Sequence, residues 1–324
     1  MPLPFKCCFW LNRSLTLMNP ALPDSTASSA ALATTEICSV MVVHNPDSTL
    51  EENIRALLRE VASLIVVDNC SEPSLRPRIA ALSTTCNFEV IWEKKNIGLA
   101  AGLNEGIRMA LRDERYTWIA TFDQDSRVSP GFSQTMVAAY ALCPFRDKVA
   151  LIAPRYVLSP ERAAGDPPID GPQFQEIPVT LQSGSLFSRS ALKDVGLFDE
   201  SFFIDYVDFE FCLRLRKRGF RIIEATRAPL NHCVGTPTVH TFLNKTCLVF
   251  NHSPVRRYYA ARNRLRIYGR YLFSDPRWIG HDMWSWCKEI IKLALFETNR
   301  LEKLAYMARG GWDALRGQYG VYAR

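Results

Sequence analysis

The chain of 324 residues is 48% hydrophobic and 22% charged, enough to bury the core of a large α/β domain with an appendage. Its formal net charge of +6 suits an anionic substrate or surface; it is too small to argue for nucleic acid, and no RRM, zinc-finger or basic-zipper pattern occurs. The ten cysteines include no CxxC and no Cys/His spacing for structural zinc, which points to a reducing, cytoplasmic compartment.

Residues 1–18 mix Lys6 and Arg13 with an apolar run too short for a signal peptide, and Met18 is an alternative start. Residues 19–35, rich in Ala, Ser, Thr and Pro, read as a flexible leader. No run of 18 apolar residues occurs, so no membrane-spanning helix is expected. From Ile37, strand and helix signals alternate. Apolar runs predict strands at 37–43, 64–67, 88–92, 118–122 and 149–153, and a further apolar segment spans 179–187. Helical spacing predicts helices from 50 to 61, opened by a Ser48/Glu51 capping box, near 74–84, and from Asn96 to Leu111. A loop and a helix follow through 198–214. Such alternation predicts an α/β fold with a mostly parallel sheet, whose ligands bind beyond the carboxyl ends of the strands. Those ends carry His44-Asn45-Pro46, Asp68-Asn69, Glu93–Asn96 and Asp123-Gln124-Asp125. No GxGxxG follows the first strand and no GxxxxGK[ST] appears, which disfavours a dinucleotide dehydrogenase and a P-loop NTPase. The expected division is a leader at 1–35, a catalytic domain at 36–240 and a basic, Trp-rich helical region at 241–324.

Several constellations can carry chemistry. Asp123 and Asp125 close the fourth strand; residues i and i+2 of a strand face one way, and two such carboxylates can share a hard divalent cation with diphosphate oxygens. The same pair fits a turn in which each Asp accepts from a neighbouring N–H. Asp68 can accept from a pyrimidine N3–H, or form an Asx turn with Asn69. Small residues from Asn96 to Asn104 offer helix-start N–H groups to an anion, or tight packing through Gly98 and Gly102. Asp205 and Asp208, three apart at a helix start, are capping carboxylates or the source of a general base for a hydroxyl nucleophile. His232 is a metal-binding imidazole or a structural one. Six arginines lie between Arg256 and Arg270. Most read as surface, while Arg262 offers a forked donor for phosphate.

The ordered set VVHNP, VVDN, EKKNIGLAAGLNEGI, FDQDS, SGSLFSR, GLFDESFFIDYVDFEFCLRLRKRGF, LNHCVG and RRYYAARN resembles the family 2 glycosyltransferases of the GT-A fold, over about residues 37–272. DQDS and FID-x-VD-x-E resemble the rhamnosyltransferase branch; NHSPVRRYYAARN and GGWDALRGQYG are similar to its rhamnolipid-synthesis members. The resemblance implies an inverting, metal-dependent transfer of L-rhamnose from dTDP-β-L-rhamnose to a mono-rhamnolipid hydroxyl, giving di-rhamnolipid. An O-antigen or other polysaccharide acceptor is the alternative, and a catalytically silent nucleotide-sugar-binding protein is the reading from another class. By the same resemblance Asn45 and Pro46 line the nucleotide pocket, Asp68 reads the thymine ring, and Asn96 and Gly98 contact the nucleotide sugar. Asp123 and Asp125, with His232, hold Mg²⁺ or Mn²⁺, and Arg262 contacts the donor. Gly184 lets the chain approach donor or acceptor sugar closely. Asp208 is the base, with Asp205 a rival because Val207 stands where the family motif has Glu.

At the C-terminus, Met283, Trp284, Cys287, Ile290, Ile291, Ala294 and Leu295 form an apolar helical stripe. Leu301, Leu304, Ala305, Ala308, Trp312 and Leu315 form a second, beside Arg300, Lys303, Arg309 and Arg316. These stripes either lie in a bilayer interface, on the cytoplasmic face of the inner membrane, or pack on their own domain.

Overall fold

The computed structural model describes residues 34–157, 171–231, 238–242 and 245–322. The chain begins with β1 (Ile37–Val43), α1 (Leu50–Leu57), β2 (Ser63–Asp68), α2 (Arg76–Cys86), β3 (Glu89–Trp92), α3 (Leu99–Ala110) and β4 (Trp118–Asp123). It continues with β5 (Arg127–Val128), α4 (Phe132–Ala141), β6 (Val149–Val157), β7 (Phe174–Glu176), β8 (Ser185–Ser188), α5 (Arg189–Val195), α6 (Val207–Lys217) and β9 (Arg221–Asn231). The two-stranded β10 (Thr238–Phe242) and β11 (Lys245–Val249) precede three helices, α7 (Pro254–Tyr271), α8 (Pro276–Phe296) and α9 (Arg300–Leu315).

The sheet runs β3-β2-β1-β4-β8-β6-β9-β5, with β7 also on β9. β3, β2, β1 and β4 are parallel, as their alternation with helices requires. β8 enters antiparallel between β4 and β6, so the second half is mixed. All seven residues of β1 are buried, which fits a central strand covered by helices on both faces. One core packs Met41, Val66, Phe122, Ile54 and Met136. The other joins Val40, Val67, Leu103, Ile107, Phe187 and Phe211.

Small residues let α3 approach the sheet. A Cβ at Gly106 would lie 2.3 Å from Val40 Cγ1, and one at Gly102 3.2 Å from Val42 Cγ1. The second core also takes in Ile267, Tyr271, Trp278 and Ile279. Much of the C-terminal region is thus built into the body of the protein. Ser253 starts α7: its Oγ accepts from Arg256 N–H, with Pro254 next in line. Asn263, fully buried, places Nδ2 2.8, 2.8 and 2.9 Å from the carbonyls of Phe202, Ile204 and Asp205. One side chain on α7 therefore holds the loop that leads into α6.

Some local expectations change. The Ser48/Glu51 capping box does not form; Thr49 occupies the N-cap, and Asp47 Oδ1 accepts from Thr49 N–H at 2.8 Å and from its hydroxyl at 2.6 Å. An Asx turn has taken over the helix start. In the segment 179–187, only Ser185 onward is strand, because residues 182–184 turn against β4, with Gly184 N–H donating to the Thr121 carbonyl and the Thr121 hydroxyl to the Gln182 carbonyl. No helix among the described residues is long and apolar enough to cross a membrane.

Gly106→Ala is expected to cost on the order of 1–3 kcal/mol, read from the urea midpoint, because Val40 is in the way of the new methyl.

Candidate active site

The loops beyond β1, β2 and β4 are tied together by side-chain amides. His44 N–H donates to Gln124 Oε1 at 2.8 Å, and its carbonyl accepts from Gln124 Nε2 at 3.3 Å. Asn45, at φ 47°, accepts from Glu72 N–H at 2.8 Å and donates its own N–H to Ser71 Oγ at 2.9 Å; Pro46 beside it is buried. Asp68 is fully buried, with Oδ2 2.9 Å from Arg76 Nε and Oδ1 accepting from Ser71 N–H at 3.2 Å. The guanidinium of Arg76 also lies 5.5 Å over the Trp92 ring. Asn69 accepts from Ile97 N–H at 2.8 Å and donates to Asn96 Oδ1 at 3.2 Å. Asn96 Oδ1 in turn accepts from Gly98 N–H at 2.9 Å.

At the start of α3 the structure favours packing over anion binding. Leu99 and Ala100 N–H donate to the Phe203 carbonyl at 2.7 and 3.4 Å. Gly98 has φ 88°, and a Cβ there would lie 2.5 Å from Phe203 Cδ2. Gly184 is likewise constrained from within. At φ 77° its missing Cβ would meet Leu230 Cδ2 at 2.5 Å, so the close approach is to the protein's own core. The expected donor contact of Arg262 needs correcting too. Arg262 is 1% exposed, and it donates to Gly320 O at 2.7 Å and to Ser201 and Phe202 O at 3.3 Å. Its fork is spent on backbone carbonyls.

Asp123 is the last residue of β4, and Ser126 N–H donates to its carbonyl at 3.2 Å. Asp125 therefore lies in a turn, exposed, and the strand pleat does not set its direction. The loop before β8 supports the turn. Gln182 Nε2 donates to Asp123 Oδ1 at 2.6 Å, Asp123 N–H donates to Ser183 Oγ at 3.0 Å, and Ser183 and Ser126 hydroxyls lie 2.6 Å apart. Tyr156 braces that loop from below, its hydroxyl 2.8 Å from Leu181 O and 2.7 Å from Ser183 O.

Asp208 is the second residue of α6, and its Oδ1 accepts from Phe209 N–H at 2.9 Å. Burial pushes its carboxyl up to about 7, and the charges of Asp205 and Asp123 push the same way. Asp123 at the end of β4 thus lies within electrostatic reach of the two acids at the start of α6. Asp205 stands before the helix at φ 62°, not on its first turn beside Asp208. It is ion-paired: Arg256 Nε lies 3.1 and 3.3 Å from its two oxygens. Attraction to Asp205 raises Arg256 further, and Asp123 and Asp208 add to it. Nearby, burial and then the charge of Arg256 hold His252 down to about 4, so its imidazole is neutral.

Sequence reasoning missed Gln182, Tyr156, His252 and Arg256. A signal for Arg256 existed in Ser253-Pro254, an N-cap followed by proline, which places Arg256 in the first turn of α7.

Among the described residues no three His, Cys, Asp or Glu side chains converge as a metal centre. The donor set still fits a hard cation that takes one or two carboxylates and leaves room for phosphate oxygens and water. Asp123 and Asp125 offer the carboxylates, and Gln182 Oε1 is buried beside Asp123 with no hydrogen-bond partner. Asn231 stands opposite Arg127 in the β5–β9 pair. His232, next in sequence, lies outside the described residues.

A parallel nucleotide-type half-sheet with carboxylates at its ends defines a glycosyltransferase of GT-A type, and comparison with known proteins agrees. Residues 38–196 match Glycosyl transferase family 2. The dTDP-rhamnosyl transferase RfbF of Shigella flexneri is 30% identical over 247 residues, 70% of this chain and 78% of that protein. A low-salt glycan biosynthesis hexosyltransferase of Haloferax volcanii is 24% identical over 201 residues, 57% of this chain and 63% of its own length. The solved mannosyltransferase PcManGT from Pyrobaculum calidifontis, in complex with GDP-Man and Mn²⁺, shares the fold at TM-score 0.53 and 13% identity, covering 91% of this chain and 79% of its own. The chain belongs to glycosyl transferase family 2.

The raised Asp208 has a consequence for stability. An acid whose folded pKa lies above its unfolded value binds protons more tightly when folded, so stability falls as pH rises from about 4 to about 7. Asp208→Asn should therefore make the metal-free protein more stable than wild type at pH 8, by on the order of 2 kcal/mol. The gain should vanish below the unfolded aspartate pKa; urea unfolding at the two pH values checks it.

Proposed function

We propose that the protein is an inverting rhamnosyltransferase that moves L-rhamnose from dTDP-L-rhamnose to a hydroxyl of a growing polysaccharide or lipid-linked glycan. The observation that carries the mechanism is the contrast between two neighbouring acids: Arg256 pairs with Asp205, while burial pushes the Asp208 carboxyl up to about 7. The donor follows from the likeness to RfbF. The glycan acceptor is supported by the likeness to the Haloferax hexosyltransferase of low-salt glycan biosynthesis. The relatives give no support to the rhamnolipid acceptor, so the polysaccharide alternative becomes the main reading.

In this reading the acceptor hydroxyl sits against Asp208, whose carboxylate takes its proton as the oxygen attacks the anomeric carbon. The bond from that carbon to the dTDP oxygen breaks with its electron pair, and the configuration inverts. A carboxylate held near 7 is matched to this task at neutral pH. Arg256 faces the carboxylates of the site with a guanidinium suited to a diphosphate. The incoming donor competes with Asp205 for it, and the leaving group gains a fixed positive charge. Gln182 fixes the Asp123 carboxylate in orientation. Asp123 and Asp125 would hold Mg²⁺ or Mn²⁺, with His232 as a further ligand, and a bound cation supplies Lewis-acid stabilisation of the departing diphosphate; the manganese in PcManGT supports the kind of ion.

Three experiments test this reading. Asp208→Asn should lower kcat by about 10²–10⁴-fold with dTDP affinity retained, and full activity would remove Asp208 as the base. Asp125→Ala should weaken metal-dependent dTDP binding in calorimetry, and unchanged affinity would reject its metal role. A panel of dTDP-, UDP- and GDP-sugars against polysaccharide fragments and mono-rhamnolipid should show transfer only from dTDP-rhamnose, onto the saccharide; turnover of mono-rhamnolipid alone would restore the lipid acceptor.

A further inference from the structure

The outer faces of the two C-terminal helices are apolar where a surface helix is ordinarily charged. α8 packs inward through Trp278, Ile279 and Leu293, all buried. Its opposite side carries Trp284, 61% exposed, with Ile291 and Leu295 about two and three turns further along the same line. α9 packs inward through Met307 and Gly310. Its opposite side carries Leu301, Trp312 and Leu315, exposed by 80%, 58% and 79%, with Ala305 and Ala308 between them. Ile290 and Leu304 are the stripe members turned toward the protein.

Charge on these helices is sorted by side. Most acids are engaged with the body of the protein: Asp282 with Arg264, Glu297 with Arg257 and Lys303, and Asp313 with the Tyr258 hydroxyl, while Glu289 reaches Arg264 from an exposed position. Among the exposed acids of α8 and α9, Glu302 is left outward without such a partner. Cations flank the outward stripes. Lys288 Nζ lies 4.9 Å over the Trp284 ring, Arg316 lies 5.9 Å over Trp312, and Arg300 and Arg309 are also exposed.

We propose that α8 and α9 form a docking face for an anionic lipid bilayer. Exposed tryptophans with a Lys or Arg beside the ring, on an otherwise aliphatic stripe, match an interface where indole sits at headgroup depth and cations meet lipid phosphate. A second copy of this face would bring like charges together. The geometry also brings the surface near the chemistry. A Cβ at Gly310 would lie 2.3 Å from the Tyr258 carbonyl, so α9 rests directly on the turn of α7 that follows Arg256. A docked α9 keeps the candidate site one helix from the membrane, where an acceptor carried on lipid would be displayed. The docking face stands independently of the sugar transferred.

Flotation of the full chain with phosphatidylcholine vesicles, with and without phosphatidylglycerol, tests this directly. The wild type should float with the anionic vesicles and lose binding as salt is raised. A variant combining Trp284→Ser, Ile291→Ser, Trp312→Ser and Leu315→Ser should lose binding by about tenfold or more, with an unchanged thermal midpoint because all four side chains are exposed. Lys288→Glu with Arg316→Glu should abolish the preference for anionic lipid. Undiminished flotation of the quadruple variant would overturn the proposal. So would a wild type that ignores vesicles, or one that forms a dimer in sedimentation that the quadruple variant cannot form.

Discussion

The structure depends on one electrostatic arrangement: Asp123 from the end of β4 brought up to Asp205 and Asp208 at the start of α6, with a single arginine set against one of the three. Carboxylates this close repel, and burial makes each charge more costly. The fold meets this differently at each. Asp123 is held by the Gln182 amide and Asp205 by Arg256. Asp208 accepts from the neighbouring Phe209 N–H, and it is the one pushed up to about 7. A chain folded for stability alone would place a neutral side chain there. The cost makes sense where a proton must be taken from an alcohol near neutral pH.

The helices after β9 hold this arrangement in place. Asn263 and Arg262 grip the carbonyls of Ser201, Phe202, Ile204 and Asp205, which set the backbone around Asp205 and present the start of α6. Arg264, buried against Asp282 and stacked on Tyr206 and Trp286, fixes α7 to α8. The basic run after residue 254 is therefore mostly internal scaffolding. Its first turn supplies the site and its partner helices supply the outer surface.

Much of the parallel half was legible from the chain. β1, β2 and β4 are mostly apolar runs with turn residues after them, and Asp68 and Asp123 close the second and fourth strands as read. The rest turned on tertiary packing. Arg256 and Arg262 look alike in sequence; only the way α7 docks decides that one faces the carboxylates and the other faces backbone carbonyls. Gly98 and Gly184 read as room for a ligand or for packing, and Phe203 and Leu230 fill the direction a side chain would take at each. Asp125 read as a strand neighbour of Asp123, but a turn closes at Ser126. The outward apolar stripe of α8 was visible as a pattern, while which face the core would take was not, since its inward face is nearly as apolar.

The central claim is that the fold keeps Asp208 ready to accept a proton. The most direct measurement is a carboxyl-carbon NMR titration of the metal-free protein, with the Asp208 resonance assigned by its loss in Asp208→Asn. A proton held by the fold should titrate with a midpoint near 7, well separated from the exposed aspartates. A midpoint at the ordinary aspartate value of about 4 would show that Asp208 is solvated and unperturbed, and not poised as a base.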